Sequence, residues 1–579
     1  MNITNNLEKL IKEISLKKID FYVISTNDEN LLEYTPDQNK RLQWLTNFSG
    51  SNGIALISKK QKFFFTDGRY ILQAKKEIDS KFKIIDLQSE SFFFFFQKNI
   101  QHKTILIDYR IFNIKFVKEL KRIAELNSVK IYHDKKNIID KIWDRKIKKS
   151  QKHCFFLEKK ISGEDTLSKK ERIFNKINYD FLILTSSESI CWLMNLRGFD
   201  LEHTPIVLCR AIVTKNTIKL FTDLNKFPRK VKVKGVQTFC FGEFEAEILK
   251  LPKNKKLALD SSSSYFYYEQ MKSADLKFDL IEDPCINVRC EKNEVEIKHS
   301  IKYHILDGVS LVKFFYWLEN SKFTSDLDEV NVSRKLEDFR KQNKNYFSSS
   351  FPTISAFGKN ASIIHYNPIQ NNKRLISGQL FLCDSGAQYL GATTDVTRTI
   401  FIGGSKPKKE YILNYTRVLK GHINLAMLKF PRGTRGHQID SLARYSLWQN
   451  GLDYSHGTGH GVGSFLGVHE GPQSISKNFN KSELKEGMVL SNEPGYYKSD
   501  CYGIRIENLL LIIPSKYKGF LEFKNLTLCP YEKNLIDLDL LTDIQKKWIN
   551  RYHSDVYNKL KKYLKQNEKS WLFKKTQHF

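Results

Sequence analysis

The sequence predicts an α/β fold class: two α/β domains in succession, then a larger mixed α+β domain. Three observations carry that reading. Helix and strand patterns alternate through the N-terminal third. The alternation restarts after a basic polar stretch, "DRKIKKSQKH" (Asp144 to His153). From about residue 290 the texture changes to long helices, glycine-rich turns and isolated Asp, His and Glu residues. At 579 residues the chain is long enough for about two to four domains with buried cores. The expected divisions are 1–152, 153–290 and 291–579.

In the first segment "NLEKLIKEI" has helical spacing of its apolar residues. "DFYVIS", "GIALIS" and "KFFFTD" are short apolar runs of strand type. "SFFFFFQ", Ser91 to Gln97, is low complexity and is expected to be a buried segment without a function of its own. In the second segment "KKERIFNKI" predicts a helix, and "YDFLILTS" and "RAIVTKNTIKLFTD" predict strands. No repeat between the two segments is strong enough to indicate duplication. The third segment opens on a long helix in "NVRCEKNEVEIKHSIKYHILDGVSLVKFFYWLEN". It closes on the amphipathic "TDIQKKWINRYHSDVYNKLKKYL".

Composition excludes several classes. No apolar run reaches the roughly eighteen residues of a membrane span. The opening "MNITNNLEKLIKEI" lacks the basic and apolar regions of a signal peptide, so a cytoplasmic protein is expected. The nine cysteines are scattered, odd in number and without C-x-x-C, which fits free thiols in a reducing compartment. The net charge is +30, yet lysine dominates it and is spread along the whole length. Nucleic-acid readers cluster arginines with interleaved aromatics. Neither a specific nucleic acid nor a membrane is therefore expected as a partner.

The densest signal is "HGTGHGVGSFLGVHE", His456 to Glu470. Its glycines at 457, 459, 461 and 463 recur every second residue, which is neither G-x-G-x-x-G nor a P-loop. A backbone that passes close to something, with imidazoles pointing at it, remains. Upstream, "LFLCDSGAQYLGATTDVTRTIFI" has two strand-like runs. Asp384 closes the first and Asp395 opens the second, so returning strands would bring both carboxylates to one point. Two buried like charges need a cation; a polar turn capped by Asp384 is an equal reading. In "MVLSNEPGYYKSDCYGIRIENLLLI", Glu493 ends one apolar run, and Arg505, Glu507 and Asn508 interrupt the next. Glu507 is expected buried and paired, with Arg505 on the same strand face as the plain structural partner. Two Asp, two Glu and one His suit two hard divalent ions such as manganese better than a structural zinc.

These stretches, with "HYNP", "NEPGYY" and "GIRIENLLL", resemble the aminopeptidase P family of proline-specific metallopeptidases. "FFTDGRYILQAKKEID" and "WLMNLRGFDLEHTPI" extend the resemblance to the first two domains of the long, three-domain cytosolic members. The resemblance implies two creatinase-like α/β domains followed by a pita-bread catalytic domain. Carried over by position, it makes Asp384, Asp395, His460, Glu493 and Glu507 the metal ligands, with Asp395 and Glu507 bridging. His365, His456 and His469 line the substrate site, and Arg505 orients a carboxylate ligand. Arg69 matches an arginine that reaches a partner subunit's site or forms a plain salt bridge. "YLGATTD" departs from relatives, with Gly391 and Ala392 where an acidic residue and glycine are usual.

The activity implied is a two-metal aminopeptidase, with manganese preferred, releasing the first residue from peptides with proline second. The ions activate a water and polarise the scissile carbonyl. Glu493 carries the proton and His469 helps the oxyanion. A homodimer is expected, with a candidate surface near "RYSLWQNGLDYSHG", where Trp448 and Leu452 lie just before His456 and the large aromatic would be the anchor; packing of Trp448 within its own helices is the equal alternative. Prolidase, an X-Pro dipeptidase, is the rival enzyme, and a non-catalytic pita-bread binding protein the rival from another class.

Overall fold

A computed structural model of the chain describes residues 3–145, 152–228, 233–321, 327–369, 372–404 and 406–579. Most of the expected basic linker lies outside the described residues. The chain divides into two compact units. One comprises Met1–Leu157, Glu164–Leu201 and Ile206–Cys285; the other comprises Glu158–Gly163, Glu202–Pro205 and Ile286–Phe579.

The first unit holds two six-stranded sheets. The strands of one are Phe21–Ser25, Ile54–Ile57, Lys62–Thr66, Lys83–Asp86, Thr104–Ile107 and Lys130–His133. Those of the other are Phe181–Leu184, Cys209–Val213, Ile218–Thr222, Val236–Cys240, Leu257–Asp260 and Phe278–Ile281. Numbered in chain order, both sheets run 4-3-2-1-5-6. In both, pairs 1–2 and 2–3 are antiparallel, while 3–4, 1–5 and 5–6 are parallel. The unit therefore repeats one topology twice, which the sequence does not display. "FYVIS" is buried along its whole length, so it reads as a continuous apolar run rather than an alternation. The phenylalanine run is a helix, Phe92–Asn99, capped by the Ser91 side chain. Only one face of it is covered: Phe92, Phe95 and Phe96 are buried, while Phe94 is 60% exposed. The expectation of a wholly buried segment is thus corrected by helical period.

In the second unit the long helix is Glu294–Glu319. Asn293 starts it by accepting the N–H groups of Val295 and Glu296, while the Glu296 carboxylate accepts the Asn293 N–H. Two antiparallel sheets then position the site. Ile354–Phe357, Gln379–Ser385 and Val396–Ile402 form one. The other has the order Lys429–Pro431, Phe520–Asn525, Asn508–Pro514, Val489–Asn492, Gly459–Gly461, Glu470–Ile475. Helices Lys409–Ala426 and Gly436–Trp448 cross so closely that a Cβ on Gly421 would run into the Ala443 carbonyl. Ile549, Val556 and Leu560 of the closing helix, Asp543–Leu560, join Val418, Leu419 and Leu447 in one apolar core.

The first unit also buries an acidic pair. Asp260 is 1% and Asp283 2% exposed. Burial first, and repulsion from Asp283 second, push the Asp260 carboxyl up to about 7. An acid with a raised folded pKa costs nothing while both states are protonated. It destabilises the fold as pH rises from the unfolded value, near 4, through the folded one. Asp260→Asn is therefore expected to match the parent near pH 4 and to be more stable by roughly 1–3 kcal/mol at pH 8 in denaturant titrations. A parent–variant difference that does not change with pH would refute the assignment.

Candidate metal centre

The carboxylates converge because of strand register. In the antiparallel pair Gln379–Ser385 and Val396–Ile402, Asp384 lies opposite Thr397 and Ser385 opposite Val396. Asp384 and Asp395 therefore sit at the same end, as returning strands require. The chain turns between them through a small hairpin, Ala387–Tyr389 with Ala392–Thr393. At its tip Gly391 has φ +107°, a conformation open to glycine, so the departure from relatives at Gly391 suits this turn. In the six-stranded sheet Asn492 pairs with Asn508. Glu493, just after one, and Glu507, just before the other, thus emerge side by side.

His460 is the middle residue of Gly459–Gly461. A Cβ on Gly459 would run into the Ser491 carbonyl, and one on Gly461 into Gln473 and the Glu470 carbonyl. Alternate residues of a strand face opposite sides. The every-second-residue glycines therefore let the strand seat against its neighbours while His460 faces the acids. The close approach is to neighbouring backbone.

Ligand-type atoms of Asp395, His460 and Glu507 all lie within 4.8 Å of one another. His460 Nε2 is 3.6 Å from Asp395 Oδ2 and 3.4 Å from Glu493 Oε1. His460 Nδ1 bonds the Gly461 carbonyl at 2.9 Å, so Nδ1 is the donor there and Nε2 is the atom turned toward the carboxylates. Glu507 Oε2 accepts from Thr397 Oγ1 at 2.7 Å. Glu493 Oε1 accepts from Ser491 Oγ at 3.1 Å.

Arg505 is buried and donates to Asp384 Oδ2 at 2.6 Å, to Tyr497 Oη at 2.7 Å and to Thr397 Oγ1 at 3.2 Å. The expected strand-face pair with Glu507 does not form. "GIRIENLLLI" is not one strand: Tyr502–Arg505 and Asn508–Pro514 belong to different sheets. Tyr497 Oη also bonds His456 Nε2 at 2.8 Å, and His456 Nδ1 bonds the Gly457 carbonyl. His456 Nδ1 stands 4.0 Å from Glu493 Oε2. The His469 ring meets that of His460 edge-on, 4.4 Å between centroids. Its neighbour Glu470 is buried with Lys292 and Arg289. His365 follows Ile364, whose carbonyl accepts from both Arg505 Nη1 and Nη2 at 3.4 Å. Arg69 lies in the first unit and grips Asp67 with Nε and Nη2, each at 2.8 Å.

The electrostatics call for cations. Asp384 Oδ1 and Asp395 Oδ1 are buried without a hydrogen-bond partner among the described residues. Burial, then repulsion from Glu507, Asp384 and Glu493, pushes Asp395 well above the usual carboxylate range. Burial with Glu493 and Asp384 does the same to Glu507. Glu493 is pushed up to about 7 by burial and Asp384, against the pull of Arg505. Oxygen-rich donors with one imidazole fit hard divalent ions. Thr397, Ser491 and Tyr497 were not assigned from sequence. Thr397 could have been: it sits two residues from Asp395 and so on the same strand face.

A carboxylate-and-imidazole site at the mouth of paired antiparallel sheets defines a metallopeptidase class, and the comparisons agree. Metallopeptidase family M24 matches residues 302–514, and the C-terminal region of peptidase M24 matches 519–579. Creatinase/prolidase N-terminal domains match 6–141 and 144–296. Xaa-Pro aminopeptidase 1 of Dictyostelium discoideum is 36% identical over 96% of this chain and 93% of its own length. The probable Xaa-Pro aminopeptidase P of Laccaria bicolor is 35% identical over 99% and 93%. The chain belongs to metallopeptidase family M24. Among solved structures, the X-prolyl aminopeptidase of Caenorhabditis elegans, described as a cytosolic enzyme with a di-nuclear active site, superposes with a TM-score of 0.94. It is 30% identical and covers 100% of both chains. The prolidase of Pyrococcus horikoshii gives 0.50 at 26% identity, covering 63% of this chain and 99% of its own.

Proposed function

We propose that the chain is a metal-dependent aminopeptidase that releases the N-terminal residue from peptides with proline in second position. One observation carries the reading: Asp395, His460 and Glu507 converge within 4.8 Å in a chain similar from end to end to Xaa-Pro aminopeptidases. Prolidase is the weaker reading, because the prolidase likeness spans only 63% of the chain. A non-catalytic binder is weaker still, because all five ligand-type residues are present. The three-domain division at 152/153 and 290/291 is supported by family matches that change near those points.

Asp384, Asp395, His460, Glu493 and Glu507 are the residues that would hold two divalent ions, with manganese the metal favoured by the donor set. Such ions supply a water of lowered pKa and polarise the scissile carbonyl. Glu493 Oε2, facing His456, takes the proton and delivers it to the departing proline nitrogen. That nitrogen belongs to a tertiary amide without N–H and, like any amide nitrogen, it leaves as an amine only with a delivered proton. His469, edge-on to His460, donates to the oxyanion. His456 and His365 line the peptide, and Arg505 holds Asp384 and Tyr497. Arg69, engaged by Asp67, takes no step. No helix among the described residues is long and apolar enough to cross a membrane, and the cytosolic description of the C. elegans enzyme supports a cytoplasmic location.

The homodimer reading rests on the outer face of Gly436–Trp448. Leu442, Tyr445 and Trp448, three residues apart, are 36%, 59% and 43% exposed, and Phe479 beyond them is 75% exposed. Trp448 thus does not pack inside its own helices, whereas Leu452 packs on the core. The inner face of the same helix carries Arg444, which donates to the Tyr454 and His456 carbonyls. A partner pressed on the outer face would steady the His456 loop.

Three outcomes are expected. Asp395→Asn or His460→Ala abolishes hydrolysis and lowers bound metal from two equivalents; metal analysis finding two tightly held ions with full activity would sink the ligand set. An Arg-Pro-Pro-type peptide loses its first residue, and alanine in place of the second-position proline costs most of the rate; cleavage of Gly-Pro alone would favour prolidase. Trp448→Glu gives a folded monomer of reduced activity by sedimentation and peptide hydrolysis; a monomeric parent would remove the dimer, and a fully active monomer the coupling.

A further inference from the structure

The C-terminal region, residues 519–579, supplies none of the five proposed ligands, yet one of its side chains reaches behind the metal centre. Tyr531 is 1% exposed. Its hydroxyl bonds His422 Nε2 at 3.0 Å and Asn508 Nδ2 at 3.0 Å. His422 Nδ1 bonds the Asn492 carbonyl at 3.0 Å, and Asn492 Nδ2 returns a bond to the His422 carbonyl at 2.9 Å. Burial, with Arg398 nearby, lowers His422 to about 3, so the ring is neutral. The direction of each bond follows. His422 Nδ1–H donates to Asn492, Nε2 accepts from the Tyr531 hydroxyl, and that hydroxyl accepts from Asn508. Asn492 precedes Glu493, and Asn508 follows Glu507.

A second arm reaches the same place. The Arg398 guanidinium lies 4.7 Å over the Tyr531 ring. It donates to the Glu507 carbonyl at 2.7 Å, to Asn508 Oδ1 at 2.8 Å and to the Cys529 and Pro530 carbonyls. Thr397, its neighbour in sequence, holds the Glu507 carboxylate. One tyrosine thus joins both glutamate-bearing strand ends to the C-terminal region.

We propose that Tyr531 is a positioning residue for the metal centre, its hydroxyl locking Glu493 and Glu507 in place through His422–Asn492 and Asn508. The proposal rests on the ligand reading above. Residues that orient metal ligands from behind are worth about 10–100-fold in metal affinity or activity when removed.

The test is Tyr531→Phe in the full chain, which keeps the ring under Arg398 and deletes the hydroxyl. Chelator-stripped parent and variant are titrated with Mn2+ by calorimetry, and thermal midpoints are read with and without saturating Mn2+. The variant is expected to bind at least one ion about tenfold or more weakly and to gain less thermal stability from Mn2+. At saturating Mn2+, kcat should fall while KM for an Arg-Pro-Pro-type peptide stays within about twofold. His422→Phe cuts the same connection one bond further on and should weaken Mn2+ binding likewise, which covers a Tyr531 variant that does not fold. Parental Mn2+ affinity in both variants would overturn the proposal. So would an equal loss of midpoint with and without Mn2+, since that is a purely structural effect. A parent that binds no Mn2+ would instead overturn the ligand reading, and this inference with it.

Discussion

Mutual repulsion among Asp384, Asp395, Glu493 and Glu507 is the constraint around which the second unit is built. Four carboxylates brought together away from water keep their charge only where cations balance it, and otherwise take up protons and lose it. The chain supplies one cation at close range, Arg505, and spends it on Asp384. Around the other acids stand the hydroxyls of Thr397 and Ser491 and the imidazoles of His460 and His456. A second arginine at Asp395 would satisfy the charge and leave nothing for a metal. Under-neutralisation is therefore part of the site.

Such a cluster survives only on rigid supports, and these are backbone-dense. Asp384 and Asp395 hang on paired strand ends. His460 sits on a strand whose glycines admit no side chain between it and its neighbours. Arg444 ties the preceding helix, Gly436–Trp448, to the His456 carbonyl and stacks 3.8 Å over Tyr454. Behind the sheet, Asp307 and Arg340 form a buried bidentate pair that also takes in Tyr389, and Arg340 donates to the Ser385 and Gly386 carbonyls. These charges are fully compensated, unlike those of the site.

The parts legible in the sequence are those with local signatures. Continuous apolar runs such as "FYVIS" and the long helix opening the second unit fall where expected, and so do the acids closing strand ends. The four acids could be picked out because a charge at the edge of an apolar run is rare, whereas His460 is distinguished from its neighbouring histidines only by the family resemblance. What was illegible is set by register and by partners distant in sequence. Nothing local says that Arg505 turns to Asp384, 121 residues away, rather than to Glu507. The break between Arg505 and Asn508 moves the two onto different sheets, which an apolar pattern cannot signal. The repeated 4-3-2-1-5-6 topology is hidden for a related reason: a sheet needs apolar strands in the right order and not any particular residues.

Protons and metal ions compete for the same oxygens, and the geometry biases that competition. A proton neutralises one carboxylate at a time, whereas a divalent ion held by this cluster would relieve more than one of them and would find the His460 nitrogen in the same group. Because Nδ1 of His460 is held by the Gly461 carbonyl, the imidazole offers Nε2 without first having to turn. Binding energy of this kind is also folding energy for the strands that carry the ligands. The hydrogen bonds from Thr397, Arg398 and Tyr531 are worth most where they prevent the acids from relaxing apart, since separation is the alternative route by which the chain could escape the repulsion.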